Sequence, residues 1–365
     1  MAKLLLAAMF TAVIATPIET SADPESTTKR TMHMAPQGER SSGVPAGREL
    51  SSLGSATQWL NSPPRTEADL RGKVILVDFW TYTCINWRRT LPYVRAWAAK
   101  YRPHGLVVIS VHSPEFEFEK DVDAVRREAK RMAIDYPIVI DNDHAIWRAF
   151  NNEAWPALYF VDAHGQVRRR QLGEGDYEQA EAFIQKLLAE TGKRGFSQEL
   201  VSVQPTGAEV AADWDNLNSP ETYVGYEKAE RFASPGGQVP DQDHLYTAPA
   251  RLSLNQWALA GGWTVKKDAG VLNKADGRIV FRFHARDLHL VMGPAARGTS
   301  VRFRVLIDGR PPGAAHGSDV DEQGNGTAKD LRLHQLIRQV GAIQDRQFEI
   351  EFLDPGAKAF AFTFG

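Results

Sequence analysis

The sequence predicts an α/β domain over residues 49–192, a linker over 193–218, and an all-β domain of the jelly-roll or sandwich kind over 219–365. Three observations carry that expectation. Strand-length apolar runs, Val74 to Val77, Leu106 to Val111 and Leu158 to Val161, alternate with segments of helical spacing in the first half. Beyond about Leu245 the apolar period falls to two, as in Ile279, Phe281, Phe283 and again in Val301, Phe303, Val305, Ile307. A chain of 365 residues is also long enough to bury two ordinary cores.

At the N-terminus, Lys3 precedes the apolar run Leu4 to Ala15, and small residues follow to Ala22. This reads as a secretory signal peptide over 1–22, because the run is far shorter than the roughly 20 apolar residues a membrane span needs. The mature protein is then expected outside the cytoplasm, periplasmic or otherwise extracytoplasmic. Residues 23–48 are rich in Ser, Thr, Pro, Gly and charge, the composition of a disordered tether. Charge is nearly balanced, 43 Lys plus Arg against 45 Asp plus Glu, so no field points to nucleic acid as a partner. A single cysteine excludes an internal disulfide and a thiolate metal cluster, and no metal or other cofactor is expected.

Leu50, Leu53, Trp59 and Leu60 lead into the α/β domain. Val74 to Trp80 reads as a buried strand and Leu91 to Lys100 as a helix, and between them lies the lone Cys84. Sulfur at the start of a helix feels positive backbone charge, which favours thiolate. A second strand, Leu106 to Val111, is followed by a helix over Glu119 to Ile134 with Val122, Val125, Ala129 and Met132 on one face. After Pro137 to Ile140, Asp143 is expected to cap a helix over His144 to Phe150. Trp155-Pro156 opens a strand to Asp162, the turn Ala163-His164-Gly165 reverses the chain, and Gln166 to Leu172 returns. Tyr177 to Thr191 closes the domain as an amphipathic helix.

This order of elements, with Cys84-Ile85-Asn86-Trp87 at the strand-to-helix turn, resembles the thioredoxin-like fold of TlpA and ResA-type redoxins. One departure is sharp: Trp87 stands where that family places its second cysteine. The resemblance implies that Cys84 is the catalytic nucleophile and that Pro156 is a cis proline facing it. Trp155, Pro156, Trp87 and Tyr82 are then the expected substrate-binding residues, and Thr81 and His112 the groups expected to tune the thiol. His112 is placed there because active groups gather at strand C-termini in open α/β sheets.

In the second domain, Phe348, Ile350, Phe352 and Phe360, Phe362, Phe364 continue the alternation, with polar residues between them expected to face solvent. From Ser219 through His284-Ala285-Arg286-Asp287 to Asp354-Pro355-Gly356 the segment resembles the C-terminal, carbohydrate-binding-module-like domain of DipZ-type proteins. That likeness suggests a glycan or a protein partner, with Tyr223, Tyr226, Trp257 and Trp263 as candidate sugar platforms. Asp319 to Asp330 echoes a calcium loop, but Gln323 and Asp330 replace the usual oxygen ligands and no flanking helices are evident, so it reads better as a hairpin turn.

The leading functional reading is a thiol-disulfide oxidoreductase of monothiol type. Cys84 exchanges with a protein or small-molecule disulfide, and an external thiol reductant, free or membrane-bound, resolves the adduct. A single-cysteine peroxidase is the first alternative, with Thr81 three residues before Cys84 and Arg88, Arg148 or Arg168 supplying charge. The second is a redox-inactive binding module with an aromatic patch of Trp80, Tyr82, Trp87 and Trp155.

Overall fold

The computed structural model describes residues 48–365, so the expected signal peptide at 1–22 and all but the end of the expected tether lie outside the described residues. The first domain runs α1 (Arg48–Ser51), β1 (Gln58–Leu60), α2 (Glu67–Leu70), β2 (Val74–Trp80), α3 (Ile85–Tyr101), β3 (Leu106–His112), α4 (Val122–Arg131), β4 (Ile138–Ile140), α5 (Ala145–Ala149), β5 (Ala157–Val161), β6 (Val167–Leu172) and α6 (Tyr177–Glu190). Its sheet has the order β1-β4-β3-β2-β5-β6. Strands β2, β3 and β4 are parallel, while β1, β5 and β6 pair antiparallel. All seven residues of β2 are buried, as a central strand covered on both faces requires. Leu76, Trp80, Trp87 and Leu91 pack on one side with Ile184 and Leu188 of α6; Ile75, Val77 and Phe79 pack on the other with Ile146 and Phe150.

Three local expectations change. Helix α3 begins at Ile85 rather than near Leu91, so Cys84 is its N-cap residue. Pro92 lies inside this helix. The segment expected as one helix over 119–134 is a 3-10 turn at Glu117–Lys120 and then α4, with the break at Asp121, which caps α4 through its side chain. Helix α5 is capped by Asp141, not Asp143: its two carboxylate oxygens accept from Ile146 N and Trp147 N, both at 2.9 Å.

The second domain contains β7 (Thr222–Tyr223), β8 (Asp243–Tyr246), β9 (Trp257–Val265), β10 (Gly270–Leu272), β11 (Gly277–Phe283), β12 (Asp287–Pro294), β13 (Val301–Ile307), β14 (Asn325–Ala328), β15 (Arg332–Arg338), β16 (Arg346–Phe352) and β17 (Ala357–Phe364). They form one curled antiparallel sheet, β14-β13-β16-β11-β9-β10-β17-β12-β15, with β8 on β9 and β7 on β17. Strand β9 joins both halves: Trp257 to Ala260 pair with β11, while Trp263 to Val265 pair with β10. The corner is at Gly261, whose φ of 95° and close approach to Gly277 leave no room for a side chain. The two halves close on Phe281, Phe348, Phe362 and Phe364, with Phe281 5.1 Å from Phe362 and 5.3 Å from Phe364.

Strand β13 shows the expected alternation of buried and exposed positions, but β12 is buried throughout. The reason is the first domain. Val291, Leu333, Phe360 and Ala361 point away from the second domain's core and pack against Ile85 and Phe116. Phe116 and Phe118 lie 5.1 and 4.6 Å from Phe360. The connector is ordered too: Arg95 of α3 pairs with Glu209, and Arg338 of β15 donates to Gly207 O.

Candidate redox site at Cys84

Strand β2 carries the chain to Trp80, a turn over 81–84 is closed by Cys84 N donating to Thr81 O at 3.2 Å, and α3 starts at the next residue. Cys84 is half-buried and unpaired. Its Sγ lies 3.8 Å from the carbonyl oxygen of Trp155, and the Trp155–Pro156 bond is cis. The Trp155 ring is held by Nε1 donating to Ser113 O at 3.1 Å and by packing on Trp147, 4.4 Å away. The structure thus brings Cys84, Trp155 and Pro156 together.

The side chains of the remaining expected site residues are turned into the core. Tyr82 and Trp87 have no exposed surface, so neither can meet a substrate from solution. Trp87 stacks on Trp80 at 4.4 Å and donates Nε1 to both oxygens of Asp78 at 3.1 Å. The aromatic patch proposed as a binding platform is therefore mostly core. His112 is buried between Trp80 and Tyr82, its ring nitrogens have no partner, and burial lowers its pKa to about 3. It makes no hydrogen bond to Cys84 and is neutral at any ordinary pH. Thr81 is buried and its hydroxyl makes no hydrogen bond to the thiol. The arginines considered for a peroxidase are engaged away from the sulfur: Arg88 donates to Tyr82 O, Arg148 to Asp143 O, and Arg168 to Asp162 and Glu190.

Burial pushes the Cys84 thiol well above its ordinary pKa, and the Trp87 backbone N–H opposes this without overcoming it. The carboxylates of Glu221, Glu115 and Glu174 raise it further. This reverses the expectation of a favoured thiolate: the helix terminus is present, but desolvation and nearby negative charge outweigh it.

Sequence reasoning passed over two buried acids that hold this turn. Asp78 accepts from Trp87 and from Ser110 Oγ at 3.0 Å, and burial raises its pKa to about 7. An acid in the middle of the run Val74 to Trp80 was the visible signal. Glu119 accepts from Thr83 Oγ1 at 2.6 Å and from the N–H groups of Glu115 and Phe116 at 2.7 and 2.9 Å; burial raises it to about 7 as well. It ties the residue before Cys84 to the loop that meets the second domain.

The candidate ligand sites in the second domain resolve differently. Trp257 and Trp263 are fully buried, donating to Glu230 O and Ala260 O, so they are core and not sugar platforms. Tyr226 donates to Asp241, and Tyr223 reaches across the domain boundary to Glu115 at 2.6 Å. Asp319 pairs with Arg332, Asp321 accepts from Asn325 N, and Asp330 faces Arg127 and Arg131. Among the described residues no cluster of three or more His, Cys, Asp or Glu is arranged to hold a metal, and no helix is long and apolar enough to cross a membrane.

Comparison with known proteins supplies an independent view. Residues 61–170 match the AhpC/TSA family, and residues 219–365 match the thioredoxin like C-terminal domain. Protein DipZ of Mycobacterium tuberculosis is 37% identical over 274 residues, covering 72% of this chain and 38% of DipZ. The chain therefore spans well under half the length of that relative. Thiol-disulfide oxidoreductase YkuV of Bacillus subtilis is 35% identical over 133 residues, covering 36% of this chain and 89% of YkuV. A solution structure of a thioredoxin-like protein in the oxidised form is 35% identical with a TM-score of 0.34, covering 37% of this chain and 90% of that one.

Proposed function

The chain belongs to the thioredoxin-like thiol-disulfide oxidoreductases, and from that premise we propose that it is an extracytoplasmic monothiol member acting through Cys84. The observation that carries this reading is the placement of the Cys84 sulfur at the N-terminal end of α3, 3.8 Å from the Trp155 carbonyl that precedes cis Pro156. An extended segment carrying a disulfide can lie along the Trp155 backbone with one sulfur presented to Sγ.

The Cys84 thiolate attacks one sulfur of R–S–S–R′, forming Cys84–S–S–R and releasing R′–S⁻, which takes up a proton. With Trp87 in place of an internal thiol, an external thiolate R″–S⁻ must complete the cycle. It attacks the R sulfur, giving R–S–S–R″ and freeing Cys84. No net electrons are gained by the protein. Its substrates are protein or small-molecule disulfides and thiols, its reductant is an external thiol, free or membrane-bound, and the signal peptide expected at 1–22 supports an extracytoplasmic or periplasmic setting. A glycan has weaker support, since two of its four candidate aromatics are core.

The test is incubation with oxidised glutathione followed by intact-mass measurement. A single glutathione adduct is expected, absent in Cys84→Ser and removed by a small thiol. Because the thiol is held protonated, the adduct should form faster at each step of pH from about 7 to about 9, by close to tenfold per unit. Absence of a Cys84 adduct on the folded chain at about pH 9, under conditions that label the urea-unfolded chain, would overturn the reading.

A further inference from the structure

The groups nearest the Cys84 turn come from both domains. Ile85, the residue after the nucleophile, packs with Phe116 of the first domain and Phe360 and Ala361 of the second. Beside Phe116, the half-buried Glu115 accepts from Tyr223 Oη at 2.6 Å and pairs with Lys228 Nζ at 3.4 Å, both from the second domain. The Lys228 ammonium lies 4.5 Å from the centre of the Tyr223 ring. Glu221, two residues before Tyr223, is exposed, and its charge acts on the Cys84 thiol. On the first domain, Glu174 is buried against Arg89 at 3.1 Å, while Arg88 is turned inward to Glu128 at 3.6 Å.

We infer that the second domain completes the redox site by setting an acidic rim, Glu221 and Glu115 locked by Tyr223, beside the Cys84 thiol, and that this rim selects cationic disulfides. The inference rests on Cys84 exchanging with disulfides, and it adds the class of disulfide.

The charge balance decides the sign. Arg89 neutralises Glu174 at contact distance, and Lys228 offsets part of Glu115 from an exposed position where solvent screens it. Arg88 is committed to Glu128 and the Tyr82 carbonyl. Glu221 has no ion pair of its own within 4 Å among the described residues; desolvation within the rim and the neighbouring Glu115 carboxylate raise its pKa to about 7, so from about pH 7 upward the rim keeps a net negative charge. Consistent with this, Glu221 and Glu115 are the two largest charge contributions that disfavour the Cys84 thiolate. A substrate bringing lysine or arginine beside its disulfide gains attraction to the rim. It also offsets the field that keeps the thiol protonated, so approach and ionisation favour the same substrate.

The experiment uses the full chain and two methanethiosulfonates, which label any accessible thiolate: the cationic trimethylammonioethyl and the anionic sulfonatoethyl reagent. Each rate is divided by that for free 2-mercaptoethanol. The wild-type cation-to-anion ratio is expected to be about 3- to 10-fold above the free thiol and to fall toward it as salt rises from about 0.02 to about 0.5 M. Glu221→Gln and Glu115→Gln should each lower the ratio, as should Tyr223→Phe, which removes the hydroxyl that fixes Glu115. Glu221→Gln alters an exposed side chain, so its result does not depend on a weakened fold. Cystamine should likewise outpace dithiodiglycolate. A wild-type ratio at or below that of the free thiol, or an unchanged ratio in Glu221→Gln and Glu115→Gln, overturns the inference. Failure of cystamine to form an adduct while the reagents still discriminate would instead count against the exchange reaction.

Discussion

At the scale of single residues, the substitution that removes the second cysteine also changes the interior. Trp87 fills the space under the active-site turn and gives a buried carboxylate a hydrogen bond. The Asp78 carboxyl is raised from an ordinary value of 3.8 to about 7 in the fold, chiefly by burial. Between those values the folded protein holds a proton that the unfolded chain has released, so the contribution of Asp78 to stability falls as pH rises from about 4 to about 7. Asp78→Asn removes that titration while keeping an oxygen to accept from Trp87. Urea unfolding from about pH 5 to about pH 8 should show the variant gaining on the wild type by roughly 1–3 kcal/mol, whatever its absolute cost. Comparison with the wild type at each pH cancels the buried neutral histidines His112, His289 and His334, which act in the opposite direction below their ordinary range. Parallel stability curves would refute the assignment. The acid was legible as a charge inside an apolar strand, but its partner was not, because nothing in spacing says that an indole nine residues later turns inward to meet it.

At the scale of elements, the site depends on one turn and one loop that share Glu119. The carboxylate spans Thr83, next to the nucleophile, and the backbone of Glu115 and Phe116. Glu119→Ala leaves those two N–H groups and a hydroxyl without their acceptor, at an expected cost of about 2–4 kcal/mol in urea unfolding. Glu119→Gln, which retains one acceptor oxygen, should cost less, and amide exchange at 113–120 should rise more in the alanine variant. Equal losses in the two variants would show that the hydrogen bonds carry little. The strands of this domain were readable because apolar runs of strand length are hard to place otherwise. One helix start and one helix cap were not: Ile85 to Thr90 lack an apolar stripe, since Arg88 and Arg89 are there to meet buried acids. Asp141 and Asp143 offer the same cap chemistry two residues apart, and only the backbone path chooses Asp141.

At the scale of the molecule, the two domains share a packed apolar interface. Strand β12 gave an early sign in its sequence, Leu288, Leu290 and Met292 on one face with His289 and Val291 on the other, since a strand with a wet face would not carry valine and a buried histidine outward. What covers that second face could not be read from the chain, because no local pattern names a partner lying far away in sequence. The cover is the loop that Glu119 holds, so damage on the β side should be felt at the thiol. Phe360 lies 4.6 Å from Phe118 and 5.1 Å from Phe116, and Phe360→Ala should cost about 3–5 kcal/mol. If the interface couples the domains, tryptophan fluorescence and far-ultraviolet circular dichroism will report one coincident urea transition, shifted as a unit in the variant. The Cys84 alkylation rate in the folded variant should rise, since the wall beside Ile85 is then incomplete. Two separate transitions in the wild type, or a variant in which only the β signal moves while Cys84 reacts as before, would show that the second domain is merely attached.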